Sequence, residues 1–475
     1  MKRFVILVVA LLQLALVAEA RTCYNIKDFG AKGNGKSVNT EAINRAIKHC
    51  SEQGGGVVVV PKGVFVSGTI FLQNNVELRL EEGAVLAGVE DPTQYTGYVC
   101  PDNRYDHFKV AQAAYWNHCF ILAQGCHNVA ITGEGTIDGR HIYDPNGEAH
   151  FRGPHALMFA ETDGLTLRGV NITRASNYAV MGYALKNTLI ENVKITEGCD
   201  AVHIRGSKNM TIRDCSFETG DDCIAGGYWE NTLITRCYIN STCNGIRIIF
   251  PVTNCEISHC RIEGPGHYVQ RHIAKLTGKM LAAVIVQPGA WWPATGGVDN
   301  LYLHDLDIAD LRCAFAANLR MHTWSKSITL ERIRAKNIYH SAIQIDSWRG
   351  GIYDNVTLRD VEVEYAGRTD EKARTVVLEA PKREARLLPY WAFYARNVRN
   401  LTLDGVKFTY TGQECRSAIG FENISYINMN NVDAQAVEGK ETIHAEECQL
   451  VPETQTKNYV PGVPKLYNPP ATYQR

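Results

Sequence analysis

Thr188-Leu-Ile-Glu-Asn-Val-Lys-Ile195, Met210-Thr-Ile-Arg-Asp-Cys-Ser-Phe217 and Thr232-Leu-Ile-Thr-Arg-Cys-Tyr-Ile239 are one unit written three times, with starts 22 residues apart. Each copy alternates apolar and polar residues, the period of a strand with one buried face. An asparagine precedes each: Asn187, Asn209 and Asn231. One short strand per fixed period, with turn residues between, marks a β-solenoid, because a single repeat cannot bury its apolar face alone and stacked neighbours supply the core. The chain is therefore expected to be all-β.

The register has a chemical consequence. Asp200, Asp222 and Asn244 are also 22 residues apart, so they occupy equivalent places on consecutive coils. Strands of adjacent coils stack at about 4.8 Å, which brings Asp200 to within one coil of Asp222 and its neighbour Asp221. A lone Asp-Asp pair is ordinarily turn chemistry. Three carboxylates at stacked positions are different, because like charges this close raise one another's pKa and cost stability. Asp200, Asp221 and Asp222 are thus the candidate functional cluster.

Outward from these coils the pattern continues in both directions. Val57-Val-Val-Val60, Gly68-Thr-Ile-Phe-Leu72, Val76-Glu-Leu-Arg-Leu80, the stretch from Asn128 to Gly139, and Leu165 to Ile172 are the earlier strands. Cys255 to Ile262 and Leu301 to Ile308 follow the centre, with starts 46 residues apart, about twice the period. Later strands begin at Ile328, Val356 and Leu401, and the last runs from Ile424 to Met429. Insertions are expected near 91–118, 141–153, 264–297 and 368–390; the third holds Arg271, His272, Trp291 and Trp292. A short helix from Glu41 to Cys50, capped by Asn39 or Thr40, carries Ala42, Ile43, Ala46 and Ile47 on one face. It is placed to plug the open end of the core. Gly30, Gly33 and Gly35 lack the spacing of a phosphate loop and are turn residues. No linker separates domains, so 21–475 is expected to be one elongated domain.

Among 475 residues, 49 basic and 50 acidic side chains leave a net charge of −1. That balance favours neither a nucleic-acid partner nor an electrostatically held membrane surface. Lys2 and Arg3, the apolar stretch from Phe4 to Val17, and Ala18-Glu-Ala20 have the form of a signal peptide over 1–20, cleaved after Ala20. Export to a periplasmic or extracellular space is the expectation, as a monomer. An oxidising compartment predicts some disulfides among the 15 cysteines, with at least one thiol left over. Cys215, Cys237 and Cys260 recur in register, however, and are better read as an inward ladder of small apolar residues. No Cys-x-x-Cys pair or His-x-x-x-His spacing points to a metal, and no cofactor is expected.

On these motifs the sequence resembles glycoside hydrolase family 28, the polygalacturonase family of right-handed parallel β-helix enzymes. Asp28-Phe-Gly-Ala31, Gly133-Glu-Gly-Thr-Ile-Asp-Gly139 and Arg152-Gly-Pro154 are similar to stretches of that family, over roughly Tyr24 to Ala434. Its N-T-D motif is present as Gly198-Cys-Asp200 and its G-D-D motif as Gly220-Asp-Asp222. The resemblance implies that Asp221 is the general acid, that Asp200 and Asp222 activate the attacking water, and that the sugar carbon is inverted. Glycoside hydrolysis needs one carboxylic acid to protonate the leaving oxygen and one carboxylate to activate water. Clustering lets one carboxyl keep its proton while the others ionise. The spacing by itself does not choose between inversion and retention.

The chain departs from the family at two motifs. Cys243-Asn-Gly245 stands where the family has G-H-G, which puts Asn244 in the place of a histidine. Asparagine can orient water or a hydroxyl but carries no proton charge. The R-I-K motif is not recognisable. Arg247 on the Asn244 coil is the best candidate for a substrate carboxylate, with Arg205 expected one coil earlier at nearly the same phase; an outward, solvated arginine is the bland alternative for each. The partner implied is a pectic polysaccharide or oligosaccharide: homogalacturonan, a rhamnogalacturonan, or another uronate-containing chain. Trp291, Trp292, Tyr228 and Trp229 could offer sugar-stacking faces, or simply local packing. Two other readings stay open. One is a polysaccharide lyase of the same fold, with the aspartates holding calcium. The other is a non-catalytic carbohydrate-binding β-helix, at which Asn244 hints.

Overall fold

The computed structural model describes residues 21–98, 117–269, 278–290, 293–320, 322–348, 351–448 and 450–451. The signal segment, most of the first insertion, Arg271, His272, Trp291, Trp292 and the chain beyond 451 lie outside the described residues.

The quoted units form the predicted solenoid, but none is a single strand. Each turns after four residues, at Asn192, Asp214 or Arg236, with φ of 50°, 56° and 52°. It then leaves as a new strand at Lys194, Ser216 or Tyr238. The corner is visible in the spacing of inward residues. Met210 and Ile212 are two apart, and Cys215 and Phe217 are two apart, but Ile212 to Cys215 is a step of three. A strict two-residue period would have put Asp214 in the core.

Each coil therefore has three sides, and like sides stack into three parallel sheets of a right-handed β-helix. In the first sheet Val180, Val202, Ile224 and Ile246 are in register. In the second, Ile190, Ile212, Ile234, Ile257 and Leu303 form one inward row. In the third, Ile172, Ile195, Phe217, Ile239 and Ile262 form another. These rows meet in one apolar core that extends from Ile26 to Val437. Among the described strands the only antiparallel pairing is Thr96–Gly97 against His118–Cys119.

Between the first and second sheets the chain turns through Asn187, Asn209, Asn231, Asn254 and Asn300, all at φ between 51° and 59°. Each amide nitrogen donates to the side-chain oxygen one coil back, at 3.0–3.1 Å for the last four. Asparagine suits both demands, since it tolerates the left-handed conformation and carries a donor and an acceptor in one plane. Cys215, Cys237 and Cys260 are buried in one row, as expected. The expected disulfides are not formed: the 14 cysteines among the described residues are free thiols. Most of this sulfur is buried.

The capping helix spans Thr40–Glu52 and buries Ala42, Ile43, Ala46, Ile47 and Cys50 against the first coil. Asn39 occupies the cap position without a side-chain bond to the helix. Its side-chain oxygen takes the Lys32 amide at 2.7 Å, and the Thr40 hydroxyl takes the Gly68 amide at 2.8 Å. The expected insertion over 264–297 is divided by a strand, Ala282–Val286, which pairs with Asn244–Ile248 on one side and Phe315–Leu319 on the other. The segments 89–117, 139–154, 264–281 and 367–389 share one property. Each leaves the third sheet and returns on the first. Asp200, Asp221 and Asp222 sit at that same corner, between Lys194–Thr196 and Val202–Arg213 or between Ser216–Thr219 and Ile224–Thr235.

Candidate active site

At this corner the backbone carries Tyr178, Asp200, Asp222 and Asn244 on four successive coils. The amides of Ala179, Ala201 and Cys223 donate to the carbonyls of Asp200, Asp222 and Asn244. Three carboxylates are thereby gathered, and each has a different set of partners.

Asp200 is 4% exposed, with Oδ2 2.7 Å from Nδ1 of His203. The other ring nitrogen of His203, Nε2, accepts from Nε of Arg205 at 3.3 Å. A guanidinium only donates, so Nε2 is the acceptor and Nδ1 carries the proton given to Asp200. Burial, helped by the nearby Arg205 charge, pushes His203 well below the ordinary histidine range, so the ring is neutral. Its face lies on Tyr178, with centroids 4.7 Å apart and planes 3° from parallel; His155 packs on Tyr178 at 5.1 Å. Burial first, then the charges of Asp221 and Asp222, push the Asp200 carboxyl well above the usual carboxylate range.

Asp222 accepts the Asn244 backbone amide at 3.1 Å and the Asn244 side-chain amide at 2.8 Å, both on Oδ1. Its Oδ2 is 3.7 Å from NH1 of Arg247. Burial raises Asp222, against the pull of Arg247. Arg247 also donates to Glu384 Oε1 and to the Arg383 carbonyl, each at 3.0 Å, which ties the 367–389 segment to the site. Burial lifts Glu384 as well. Asp221 has the most exposed side chain of the three, 16% against 5% for Asp200 and 9% for Asp222. Its Oδ2 accepts from NH2 of Arg152 at 3.0 Å.

The three aspartates and Asn244 are therefore brought together as expected. The two arginines need correction. Arg205 lies two coils before Arg247, in register with Gly227, while Arg247 is in register with Ala225 and His203. Neither arginine is solvated, at 1% and 4% exposure. Trp229 is core, with its indole N–H on the Ile204 carbonyl at 2.9 Å, and offers no stacking face. Tyr228 stacks on Phe250. Sequence reasoning assigned no role to Arg152, Tyr178, His203 or Glu384. Tyr178 had a signal, 22 residues before Asp200. Arg152 had one in the family-like Arg152-Gly-Pro154, though no role followed from it; Glu384 had none, because it reaches the site from an insertion without a period.

A groove of about 610 Å³ lies elsewhere, on the third sheet. Arg261, Asp307, Arg334, Glu362 and Lys407 line it in one row, in register and alternating in sign. Such cross-strand charge pairing stabilises a sheet and needs no ligand.

Residues 23–264, just over half of the chain, match the family model described as rhamnogalacturonase A/epimerase, pectate lyase-like. An exopolygalacturonase of Arabidopsis thaliana is 23% identical over 248 residues, covering 48% of this chain and 52% of that protein. The chain spans about half the length of such curated relatives. Among solved structures, a family 28 exopolygalacturonase of Yersinia enterocolitica superposes with a TM-score of 0.63 at 17% identity, over 88% of this chain and 79% of the other. A surface adhesin of Streptococcus pneumoniae gives a TM-score of 0.51 at 15% identity, over 90% of this chain and 100% of the other. At these identities the two structures speak for the fold alone.

Proposed function

The chain belongs to the rhamnogalacturonase A/epimerase, pectate lyase-like family, and from that membership we propose that it is an exported, pectin-degrading glycoside hydrolase of the polygalacturonase type. Its substrate is a galacturonate-containing polysaccharide or oligosaccharide. Asp221, the outermost carboxyl, protonates the leaving oxygen; Asp200 and Asp222 activate water, and the sugar carbon inverts. The relatives named polygalacturonase and exopolygalacturonase support the chemistry class. The observation that carries the reading is the stacking of Asp200 and Asp222 on consecutive coils, with Asp221 on their open side, at the corner where the insertions converge.

The electrostatics suit this use. Burial and the charges of Asp221 and Asp222 raise the proton affinity of Asp200, whereas Asp222 accepts two bonds from Asn244 and faces Arg247, so carboxyls of unequal acidity stand side by side. Asn244 supports Asp222 by hydrogen bonds where the family's histidine would carry charge. The lyase alternative is less well supported. Calcium on Asp221 and Asp222 would have to displace the guanidinium groups of Arg152 and Arg247. Binding without turnover draws on Asn244 and on the ion pair that holds Asp221.

The test compares wild type with Asp221→Asn on a panel of pectic polymers and oligosaccharides, with chelator present. New reducing ends are followed beside the ultraviolet absorbance of unsaturated uronates. Reducing ends without absorbance, lost in the variant, are expected. Absorbance that needs calcium would move the protein to the lyases, and saturable binding without either product would make it a binding protein.

A further inference from the structure

The 139–154 segment folds tightly around one side chain, that of Arg152. The Arg152 amide donates to the Glu148 carbonyl at 3.0 Å. A Cβ on Gly147 would come within 1.9 Å of the Arg152 carbonyl, and one on Gly153 within 2.3 Å of the Ile142 carbonyl. The backbone is thus fixed by close approaches that only glycine allows. The guanidinium is 2% exposed and is held from three directions. NH1 donates to Asn177 Oδ1 at 3.0 Å and lies 3.5 Å from Glu148 Oε2, and the group sits 5.5 Å from the centroid of Tyr178. Asn177 in turn donates to Glu148 at 3.1 Å. NH2 donates to Asp221 Oδ2 at 3.0 Å.

We propose that Arg152 is a positioning residue that tunes Asp221 as an acid, a role that rests on the hydrolase reading above. In that step the Asp221 O–H bond breaks, its proton passes to the glycosidic oxygen as the C–O bond breaks, and a negative charge is left on the carboxylate. Arg152 exchanges no proton. Its fixed positive charge lies 3.0 Å from the carboxylate that the transfer creates and stabilises it. Glu148 works the other way by sharing the same guanidinium. Other charged or titratable groups also face Asp221. Cys199 and Asp200 come from the preceding coil, Asp222 from its own, Cys243 and Arg247 from the next, and Glu384 from the 367–389 segment. The Arg152 guanidinium bonds directly to Asp221.

The experiment reads the pH profile of kcat/KM for wild type, Arg152→Gln, Arg152→Lys and Glu148→Gln. It is paired with carbon NMR titration of the Asp221 carboxyl, assigned by its absence in Asp221→Asn. Arg152→Gln should move the alkaline limb and the Asp221 midpoint up by about one pH unit or more, the scale of an adjacent opposite charge. Arg152→Lys should restore part of the shift, since it keeps the charge and loses the fork. Glu148→Gln should move both down. A lower rate with the limb and the midpoint unmoved would reduce Arg152 to a structural role and overturn the proposal. If wild type turns over no pectic substrate, the hydrolase reading fails, while an unmoved Asp221 midpoint overturns the tuning by itself.

Discussion

The aspartate cluster should cost the protein stability, and Asp200→Asn is the substitution that exposes the cost. The structure buries Asp200 and places Asp221 and Asp222 beside it, so the folded chain binds the Asp200 proton more tightly than the unfolded chain does. An unfolded aspartate titrates near 3.9. Between that value and the raised folded one, the native state keeps a proton that the unfolded state has lost, and stability falls as pH rises. Above the folded value the loss is complete and constant. Every tenfold tightening of proton binding is worth about 1.4 kcal/mol. Because the carboxyl is pushed above its ordinary range, Asp200→Asn should stabilise the protein at pH 7. The amide keeps an oxygen to accept from Nδ1 of His203, so the hydrogen bond at 2.7 Å is not sacrificed. Urea unfolding of both proteins at pH 7 and at pH 3.3 measures it, with the m-value checked for constancy. The gain should vanish at the lower pH, where both side chains are neutral, while turnover is lost at every pH. A variant no more stable than wild type at pH 7, or a gain that persists at pH 3.3, would refute the reasoning.

Three other perturbations test the scaffold. Asn231 gives and receives a ladder bond at φ 57°; Asn231→Gly should cost about 1–2 kcal/mol for the lost bonds, and Asn231→Ala about 1 kcal/mol more for the left-handed backbone, both read from unfolding midpoints. Trp229→Ala should destabilise by about 3–5 kcal/mol as a core truncation, whereas a sugar platform would lose ligand affinity and leave stability nearly unchanged. Burial, aided by Arg312 and Arg368, pushes His340 down to about 3. From an unfolded value near 6.5 the unfolded chain binds a proton that the fold refuses, so stability present above that pH is lost at about 1.4 kcal/mol per pH unit as pH falls toward 3. His340→Gln should flatten that part of the stability profile.

The solenoid was legible because its cause is periodic. A row such as Ile190, Ile212 and Ile234 exists only if the coils have equal length, and equal length is what a sequence displays directly. The same arithmetic located Asp200, Asp222 and Asn244. It misjudged the strands because the alternation was read as unbroken across the three-residue step from Ile212 to Cys215. It misjudged Arg205 because 42 residues separate it from Arg247, nearly two periods, and the two-residue remainder moves a side chain along the strand. Disulfides were expected from cysteine number and compartment, yet the register shows thiols in the apolar rows. The contacts of Arg152 and Glu384 were beyond the repeat arithmetic, since an insertion has no coil to be compared with and its path depends on contacts distant in sequence; Arg152 stood out only within the family-like Arg152-Gly-Pro154.

The insertions and the carboxylates share a corner for a physical reason. Inside the sheets a residue added to a coil would slip the register and turn core side chains outward. At the turn from the third sheet to the first, chain can be added without disturbing any ladder, and the entropic cost of a longer loop grows only with the logarithm of its length. That corner can therefore accept long segments and lend their side chains to one place. Glu148 and Arg152 come from one such segment, and Arg383 and Glu384 from another. The aspartates on the coil itself come already stacked by the repeat. The regular part of the chain thus supplies a fixed, destabilising cluster of like charge, and the irregular part supplies the guanidinium and carboxylate partners that tune it. Changes in the insertions should accordingly alter substrate range and pH dependence with little effect on the coil, whereas changes in Asp200, Asp221 or Asp222 should alter the chemistry and the stability together.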